Sequence, residues 1–289
     1  MCITKYIRSI LKSANLEKYD EYIADLNILK NNTVKSEKEN IIIHSKEEFE
    51  GMRKAGKLAS QVLDYIADFV EPGVTTDHLN TLCHDMIIQK GAVPAPLNYK
   101  GFPKSICTSV NHVVCHGIPS DKKLENGDIL NIDVTVIVDG WHGDTSRMYS
   151  VGGNASIKAK RLIQITYDAM MLGIEAVKPG VKLNTIGKVI QEYAEKHGYS
   201  VVRDYCGHGL GKIFHAPPQV LHYYDEELDV VLTEGMFFTI EPMVNVGGYK
   251  TKLLRDGWTA VTQDRSLSAQ FEHSLGVTSN GFEIFTVSK

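Results

Sequence analysis

Cysteine is scarce in this sequence, and no two cysteines are spaced to bind a metal together. Five cysteines are scattered through 289 residues, and none belongs to a CxxC pair. This excludes a disulfide framework and a structural zinc site, and it is typical of a reducing compartment. Apolar runs are also short, and none approaches the roughly 18 residues that span a bilayer. We therefore expect a soluble, cytoplasmic protein with no membrane partner.

Long runs of one charge are missing as well. The net charge is -4, and no stripe of Lys and Arg stands out, which argues against nucleic acid as a main partner. Hydrophobic residues make up 43% of the chain, enough to bury one large core or two modest ones. The composition resembles neither collagen nor a disordered tail. A folded globular protein is therefore predicted.

Residues 1–40 differ from the rest and are predicted to be an N-terminal extension that ends in a linker. Apolar residues at helical spacing near the start, Ile3, Ile7 and Ile10, are compatible with a short docking helix. The stretch is neither Arg-rich nor poor in acidic residues, so a loosely attached extension is favoured over an organelle presequence. The polar run at residues 31–40 indicates the linker.

The main domain is predicted to span residues 41–289. Ser45 and Glu48 have the spacing of a capping box, which predicts the start of a helix. Six apolar residues of that helix fall on one face. They are Phe49, Met52, Ala59, Val62, Leu63 and Ile66.

Two segments of this domain recur at a nearly constant offset. Residues 70–79 return as residues 177–186, shifted by 107, and residues 124–140 return as residues 232–248, shifted by 108. Two matches in the same order indicate an internal duplication. Each half contains a helix, a Pro-Gly turn, a second helix and strands. This pattern predicts an α+β fold of two pseudo-twofold-related halves, with antiparallel strands inside and helices outside.

The first half contains a predicted hairpin with two acidic residues on one face. The strand at 129–138 is followed by an Asp-Gly turn signal. With that turn, Asp133 pairs with Ser146 and Thr135 pairs with Asp144. Diagonal neighbours on one face lie about 7 Å apart between Cα atoms. Either Asp alone could be an ordinary turn or strand residue, but together they suit the chelation of a cation.

Glu241 has the position in the second half that Asp133 has in the first. It lies in an apolar run typical of a buried strand, where a carboxylate must be paired or metal-bound to offset its desolvation. A salt bridge is one explanation, and the symmetry with Asp133 favours a metal. Glu272, at the entrance of another strand, gives no such signal alone.

His208 and His215 flank a glycine-rich stretch that is predicted to be a loop. Small residues there let the backbone approach a ligand and leave the imidazoles accessible. The glycine spacing does not match GxGxxG, and no Walker lysine is present, so a nucleotide site is not predicted. His116 lies in a second tight loop, where a ligand-contacting base and a turn residue are equally open. Thiol catalysis by Cys107 or Cys115 lacks a positioned partner, so buried roles are favoured for both.

Taken in order, six short motifs resemble those of the type I methionine aminopeptidases, over roughly residues 42–287. They read Cys-His-Gly, Asn-Ile-Asp-Val-Thr, Gly-Asp-Thr-Ser, Gly-His-Gly, Ile-Glu-Pro and Gln-Phe-Glu-His. The resemblance implies the pita-bread fold and a metal-dependent hydrolase. Such an enzyme removes the initiator methionine from nascent proteins when the second residue is small.

The same resemblance implies a dinuclear metal centre held by five residues. Asp144 and Glu272 would bridge two divalent ions, Asp133 would chelate one, and His208 and Glu241 would complete the other. Oxygen-rich ligation with one imidazole suits Mn, Fe, Co or Zn. A hydroxide bridged by the metals would then attack the first peptide bond.

Further roles follow from the resemblance alone. Glu241 would shuttle protons, His215 would stabilise the tetrahedral intermediate, and His116 would contact the peptide nitrogen. The methionine pocket would be formed by Tyr99, Phe102, Cys107, Phe214 and Trp258. A structural monovalent cation would be held at Asn111, Val113 and Ser268.

The resemblance leaves two rivals and sets the expected partners. A prolidase or aminopeptidase P would share the five ligands but normally has a large preceding domain, and a catalytically dead module of this fold would normally lose ligands. We expect a monomeric enzyme that acts on nascent polypeptide N-termini at the ribosome. Phe102 stands where relatives often have Tyr, and Lys100 stands where some have His.

Overall fold

Two halves of similar build make up residues 40–288, the residues that this computed structural model describes. The predictions for residues 1–39 lie outside this part of the chain, and the domain boundary near residue 41 stays a prediction. The helices are α1 (Glu48–Ala67), α2 (Thr76–Gln89), α3 (Ile157–Glu175) and α4 (Asn184–Lys196). None of these four described helices is long and apolar enough to cross a bilayer.

Fifteen short or medium strands form four antiparallel sheets within the described residues. The strands are β1 (Val93–Pro94), β2 (Cys107–Val110), β3 (Val113–Cys115), β4 (Ile129–Val138), β5 (Trp141–Ser150), β6 (Ser200–Val201), β7 (Gly207–Gly209), β8 (Ala216–Val220), β9 (Phe237–Ile240), β10 (Met243–Asn245), β11 (Thr251–Leu253), β12 (Ala260–Thr262), β13 (Ser268–Gln270), β14 (His273–Val277) and β15 (Phe282–Ile284). The sheet orders are β1-β4-β2 with β5 on β4, β13-β10-β6, β11-β12-β3 and β15-β14-β9-β7-β8. A bridge between Ser146 and Glu272 links β5 to the start of β14.

The predicted duplication is visible in the backbone hydrogen bonds. In the first half the Gly73 N–H donates to the Leu124 carbonyl at 2.7 Å, and in the second half the Gly180 N–H donates to the Leu232 carbonyl at 2.8 Å. Both glycines have positive φ, 91° and 83°, which a glycine adopts at little steric cost. Equivalent sequence therefore folds into an equivalent turn in each half.

Each half has its own apolar core between its two helices and its strands. In the first half, Leu63 of α1, Leu79 of α2 and Ile132 of β4 belong to one buried cluster. In the second, Leu162 of α3 and Ile190 of α4 belong to one buried cluster with strands β9, β10 and β14. The helices lie outside and the strands inside, so the predicted α+β pita-bread architecture is confirmed.

Helix α1 begins later than the capping box predicted. Its first residue is Glu48, and Glu47 at the N-cap makes no side-chain capping bond. One half of the box is formed, because the Glu48 carboxylate accepts a hydrogen bond from the Ser45 N–H at 2.9 Å. The six predicted apolar residues of α1 are all buried.

The β4–β5 hairpin has the predicted turn and register. Asp139 and Gly140 both have positive φ, 50° and 83°, as a two-residue type I′ turn requires. Asp133 pairs with Ser146 and Thr135 with Asp144. The two aspartates thus lie diagonally on one face, as predicted.

Candidate metal centre

A cavity of about 360 Å³ lies where strands of the two halves meet. Its size falls within the usual range for a small-ligand site. The predicted metal ligands line it together with the predicted histidines and pocket residues. They are Asp133, Asp144, His208, Glu241, Glu272, His116, His215, Tyr99, Phe102, Cys107, Phe214 and Trp258. The chain therefore gathers into one site residues that are spread over about 170 positions (272 − 99 = 173).

The β4–β5 hairpin supplies the two aspartates of the cavity floor. Asp144 is 4% exposed, and its Oδ1 accepts a hydrogen bond from the Thr135 hydroxyl at 2.6 Å. Thr135 is its direct cross-strand partner, so the hairpin register itself orients this carboxylate. Asp133 is half-buried beside it. Its Oδ1 is buried and has no hydrogen-bond partner among the described residues.

The second half supplies the two glutamates. Glu241 lies directly after β9 instead of within it. Its Oε1 accepts from the Thr239 hydroxyl at 2.8 Å, and its Oε2 accepts from the Gln270 amide at 3.2 Å. Glu272, 3% exposed, precedes β14 and is fixed by its backbone bridge to Ser146.

His208 lies in strand β7, so the predicted glycine-rich loop is wrong at this position. Gly207 and Gly209 serve close packing instead, because a side chain at either would strike the backbone of a neighbouring strand. His208 is thus carried between two strands that approach closely, and it points to the carboxylates. His215 lies outside the strand, immediately before β8.

A backbone contact fixes which nitrogen of His208 faces the carboxylates. Its Nδ1 lies 3.1 Å from the Gly209 carbonyl oxygen, which can only accept, so Nδ1 carries the proton. The lone pair of Nε2 therefore faces Asp144 Oδ2 and Glu241 Oε1, each at 3.6 Å. Three electron-rich atoms converge on one point, which a cation would stabilise.

The pKa values of the four carboxyl groups show that the described part of the chain provides no positive charge to stabilise their ionised forms. Burial raises the pKa of Asp133 to about 7. Burial, followed by the charges of neighbouring carboxylates, holds the pKa values of Asp144, Glu241 and Glu272 well above the ordinary range. Burial also lowers the pKa of His208 to about 4, so its imidazole is neutral near pH 7.

These residues fit divalent metal ions better than a salt bridge. No Lys or Arg within residues 40–288 forms an ion pair with any of the four carboxylates. Ligand atoms of Asp144, His208 and Glu272 all lie within 4.8 Å of one another. Buried charges need a counter-charge, and carboxylate oxygens with one imidazole are ligands for first-row divalent ions.

His215 and His116 line the cavity together with the cluster. The His215 ring centroid is 4.2 Å from that of His208, and its Nδ1 lies 2.9 Å from the Tyr99 hydroxyl. Desolvation and His208 hold the pKa of His215 well below its ordinary value. His116 has a left-handed backbone, φ 56°, and its ring makes an edge contact with Tyr205 at 5.4 Å.

An apolar wall surrounds the rest of the cavity. Phe102, 3% exposed, meets Trp258 edge-on at 5.1 Å between ring centroids. Phe214 lies 4.8 Å from Tyr99, and Cys107 is buried opposite Asp133 in the register of β2 and β4. Such an apolar, aromatic wall suits a flexible, unbranched apolar side chain.

The cysteines are not arranged for thiol catalysis. Burial raises the pKa values of Cys107 and Cys115 well above the ordinary range, so both thiols are protonated near pH 7. A protonated thiol is a poor nucleophile. The preference for buried, non-catalytic cysteines agrees with this.

The three residues predicted for a monovalent cation lie beside the cavity at the β2–β3 turn and at β13. The Asn111 carbonyl already accepts from the Ser268 N–H at 2.9 Å, and Val113 starts β3. The Ser268 hydroxyl is buried and has no hydrogen-bond partner within residues 40–288.

Sequence reasoning missed the residues that hold the ligands. Thr239 could have been found from its spacing, because it lies two residues before Glu241 on the same strand face. Gln270 bonds Glu241, and the His222 Nε2 accepts from the Glu241 N–H at 3.0 Å. Both come from distant segments, and no local pattern signals such contacts.

Comparisons with known proteins agree with this site. A model of "Metallopeptidase family M24" matches residues 50–279. A methionine aminopeptidase of Rickettsia prowazekii is 66% identical over 249 residues, covering 86% of this chain and 96% of that protein. One from Escherichia coli K12 is 54% identical over 251 residues, covering 86% and 95%.

Solved structures show the same relationship. The crystal structure of a methionine aminopeptidase from Rickettsia prowazekii superposes with a TM-score of 0.84 at 65% identity, covering 86% of this chain and all of that one. One from Thermotoga maritima gives 0.83 at 38% identity, covering 85% and 99%. The prolidase from Pyrococcus furiosus, at 23% identity and a TM-score of 0.67, shares the fold.

Proposed function

The chain belongs to metallopeptidase family M24, and from this premise we propose that it is a metal-dependent aminopeptidase that removes the initiator methionine from proteins whose second residue is small. The observation that carries the proposal is the buried cluster of four carboxylates around a neutral imidazole, with no cationic side chain paired to the carboxylates among the described residues. A non-catalytic module of this fold would have no use for so costly a cluster.

Five residues would hold two divalent ions. We propose that Asp133, Asp144, His208, Glu241 and Glu272 would supply the ligand atoms. The 3.6 Å separations of His208 Nε2 from Asp144 Oδ2 and from Glu241 Oε1 support this set. When bound, manganese, iron, cobalt or zinc ions polarise a carbonyl and generate a nucleophile from water near neutral pH.

Glu241 is the proposed proton shuttle. Its side chain is 14% exposed, more than that of Asp144, so it reaches the space where the peptide bond would lie. Thr239 and Gln270 each donate a hydrogen bond to one of its two oxygens, which fixes the orientation of the carboxylate. The carboxylate would take a proton from the attacking water and give it to the leaving amine as the carbon–nitrogen bond breaks.

His215 is proposed to stabilise the oxyanion of the tetrahedral intermediate. If the Tyr99 hydroxyl donates to Nδ1, the neutral ring carries its proton on Nε2 and can donate it to that oxygen. His116, which also lines the cavity, would contact the peptide nitrogen. The apolar wall of Phe102, Trp258 and their neighbours would bind the methionine side chain.

We expect the His215→Ala substitution to lower kcat roughly 10²- to 10³-fold, as loss of an oxyanion donor does. Tyr99→Phe should lower it about five- to tenfold, because the ring loses the hydrogen bond that selects its tautomer. Steady-state kinetics on a Met-Ala-Ser peptide measure both effects. Tyr205→Phe is the matched control, since its hydroxyl makes no hydrogen bond within the described residues. Equal losses in Tyr99→Phe and Tyr205→Phe would contradict the assignment.

Purified protein supplied with Mn²⁺ or Co²⁺ should release methionine from Met-Ala-Ser. The peptide Met-Lys-Ser should react at least roughly 100-fold more slowly, because the proposed activity requires a small second residue. Amino-acid analysis of the products measures both rates.

The acetylated peptide N-acetyl-Met-Ala-Ser is the control for the free amine, and it should stay intact. Cleavage of Xaa-Pro peptides in preference to Met-Ala-Ser would overturn the methionine assignment and favour a prolidase or aminopeptidase P.

We also propose that the enzyme acts as a monomer in the cytoplasm, on nascent chains at the ribosome. The four free cysteines among the described residues are compatible with a reducing compartment. A monovalent cation at Asn111, Val113 and Ser268 is proposed as well, supported by the buried Ser268 hydroxyl.

A further inference from the structure

Lys100 is the one Lys or Arg among the residues that line the cavity. Its ammonium lies 5.3 Å from the centroid of the Tyr99 ring. It forms no ion pair with any carboxylate in the part of the chain that the structure describes. An exposed cation at the mouth of a peptide-binding cavity, held near a ring and lacking a carboxylate partner, is available to a substrate.

The backbone holds Lys100 in an unusual conformation. Its φ and ψ are 49° and 26°, inside the short 3-10 turn Tyr99–Gly101. The Asn98 N–H closes this turn by donating to the Phe102 carbonyl at 2.8 Å. A non-glycine residue in the left-handed region is uncommon, and such residues cluster at functional sites. The turn is also tied to the site, because the Tyr99 hydroxyl bonds His215.

Asp204 is the other charged lining residue outside the carboxylate cluster, and it is already engaged. Its Oδ2 accepts a hydrogen bond from the Thr251 hydroxyl at 2.6 Å. It is adjacent in sequence to Tyr205, whose ring contacts His116. Of the two, Lys100 is the charge that a substrate side chain would meet without a competing protein partner.

We propose that Lys100 is a specificity-determining residue that favours nascent chains with an acidic third residue. This inference rests on the proposed function, which puts methionine in the apolar wall and a small second residue beside the carboxylates. A long side chain would then be expected first at the third residue. Lys100 is exposed and follows Tyr99, whose hydroxyl bonds the His215 ring, so its ammonium lies within the same lining and can reach such a side chain.

The expected size of the effect is modest because the ammonium is exposed. An exposed ion pair contributes little to binding free energy. Lys100 would attract an acidic third residue and repel a basic one. We expect kcat/KM for Met-Ala-Glu-Ser to exceed that for Met-Ala-Lys-Ser roughly fivefold, with Met-Ala-Gln-Ser between them. The difference should lie in KM and not in kcat, because the contact is the same in ground and transition states. It should shrink as salt screens the charges.

The test compares these three peptides in the unmodified enzyme, in Lys100→Glu and in Lys100→Gln. Lys100→Glu should reverse the order of the charged peptides, and Lys100→Gln should bring them within about twofold. Lys158→Glu is the matched control, since it makes the same change of charge at an exposed residue of α3 away from the cavity. It should keep the original order.

Each outcome is decisive. Equal kcat/KM values for the three peptides in the unmodified enzyme would overturn the inference, as would a preference that survives both substitutions of Lys100. Either result leaves the proposed function standing, provided that methionine is released from all three peptides. Failure to release methionine from any of them would overturn the proposed function and this inference with it.

Discussion

Replacing Asp144 with Asn should lower kcat/KM for Met-Ala-Ser at least roughly 10³-fold while the protein stays folded. Activity is lost because a neutral amide cannot offset the positive charge of the divalent ions, so they bind weakly. Bound ions lower the activation barrier by several kcal/mol. The fold should survive, since the Asn side-chain oxygen can still accept the hydrogen bond from Thr135. Peptide kinetics measure the first effect and circular dichroism the second.

The same substitution should have the opposite effect on the metal-free protein. Burial and the neighbouring carboxylates make ionisation of Asp144 unfavourable in the metal-free fold, whereas Asn has no proton to hold or lose, so the Tm of metal-free Asp144→Asn should be higher than that of the metal-free parent. Added Mn²⁺ should raise the Tm of the parent and leave the variant nearly unchanged. Asp139→Asn, in the exposed turn of the same hairpin, is the control and should keep both activity and the metal response. Full activity in Asp144→Asn would contradict the proposed centre.

The hairpin that carries the aspartates could be predicted from sequence because its signals are local. An Asp-Gly turn fixes the register, and in a strand of period two the register fixes the face of every residue. Asp133 and Asp144 therefore followed from the chain itself. The position of Glu241 followed from the duplication, since equivalent sequence folds equivalently in both halves.

The glycines around His208 were misread because glycine has two uses. It gives a loop conformational freedom, and it also lets two strands approach where no side chain fits. Gly207 and Gly209 have the second use, and only the positions of the neighbouring strands show it. Gly207, Gly209 and Gly211 alternate with other residues. This alternation is compatible with a strand of period two and was the signal in the sequence that could have predicted β7.

Glu272 and the residues that orient the ligands could not be predicted from local pattern. Glu272 meets Ser146 across 126 positions (272 − 146), and the Asn131 amide donates to the Gln270 carbonyl across 139. Such contacts depend on how the halves dock, which no spacing along the chain encodes. The resemblance to a known family supplied Glu272 and the motif that begins with Gln270, but neither the role of Gln270 nor His222 was predicted.

Metal-free protein should lose stability as the pH rises from about 6.5 to 8.5. A carboxyl group whose pKa is raised on folding binds more protons in the folded state than in the unfolded state, so the free energy of unfolding falls as pH increases through the folded pKa. Asp133, at about 7, titrates inside this window, and burial shifts the pKa values of Asp144, Glu241 and Glu272 in the same upward direction. Each retained proton costs about 1.4 kcal/mol of stability per pH unit.

Below pH 6.5 the buried histidines make the protein less stable as the pH falls. Burial lowers the pKa values of His142, His208 and His273 to about 4, so these rings stay neutral in the folded state while the unfolded chain takes up protons. Their contribution to stability is lost as the pH falls from 6.5 towards 4. The two trends oppose each other in acid, which is why the test is placed above pH 6.5.

Metal ions should abolish the loss of stability at high pH. They bind the deprotonated carboxylates, so binding releases protons and strengthens as the pH rises. The increase in Tm on adding Mn²⁺ should therefore be larger at pH 8 than at pH 6.5, and calorimetry in buffers of different ionisation enthalpy should show protons released at pH 6.5. Asp133→Asn removes one titrating group and should flatten the metal-free curve between these values. A metal-free Tm that rises with pH across this window would show that the protein itself compensates the charge of the cluster, which would contradict a metal site here.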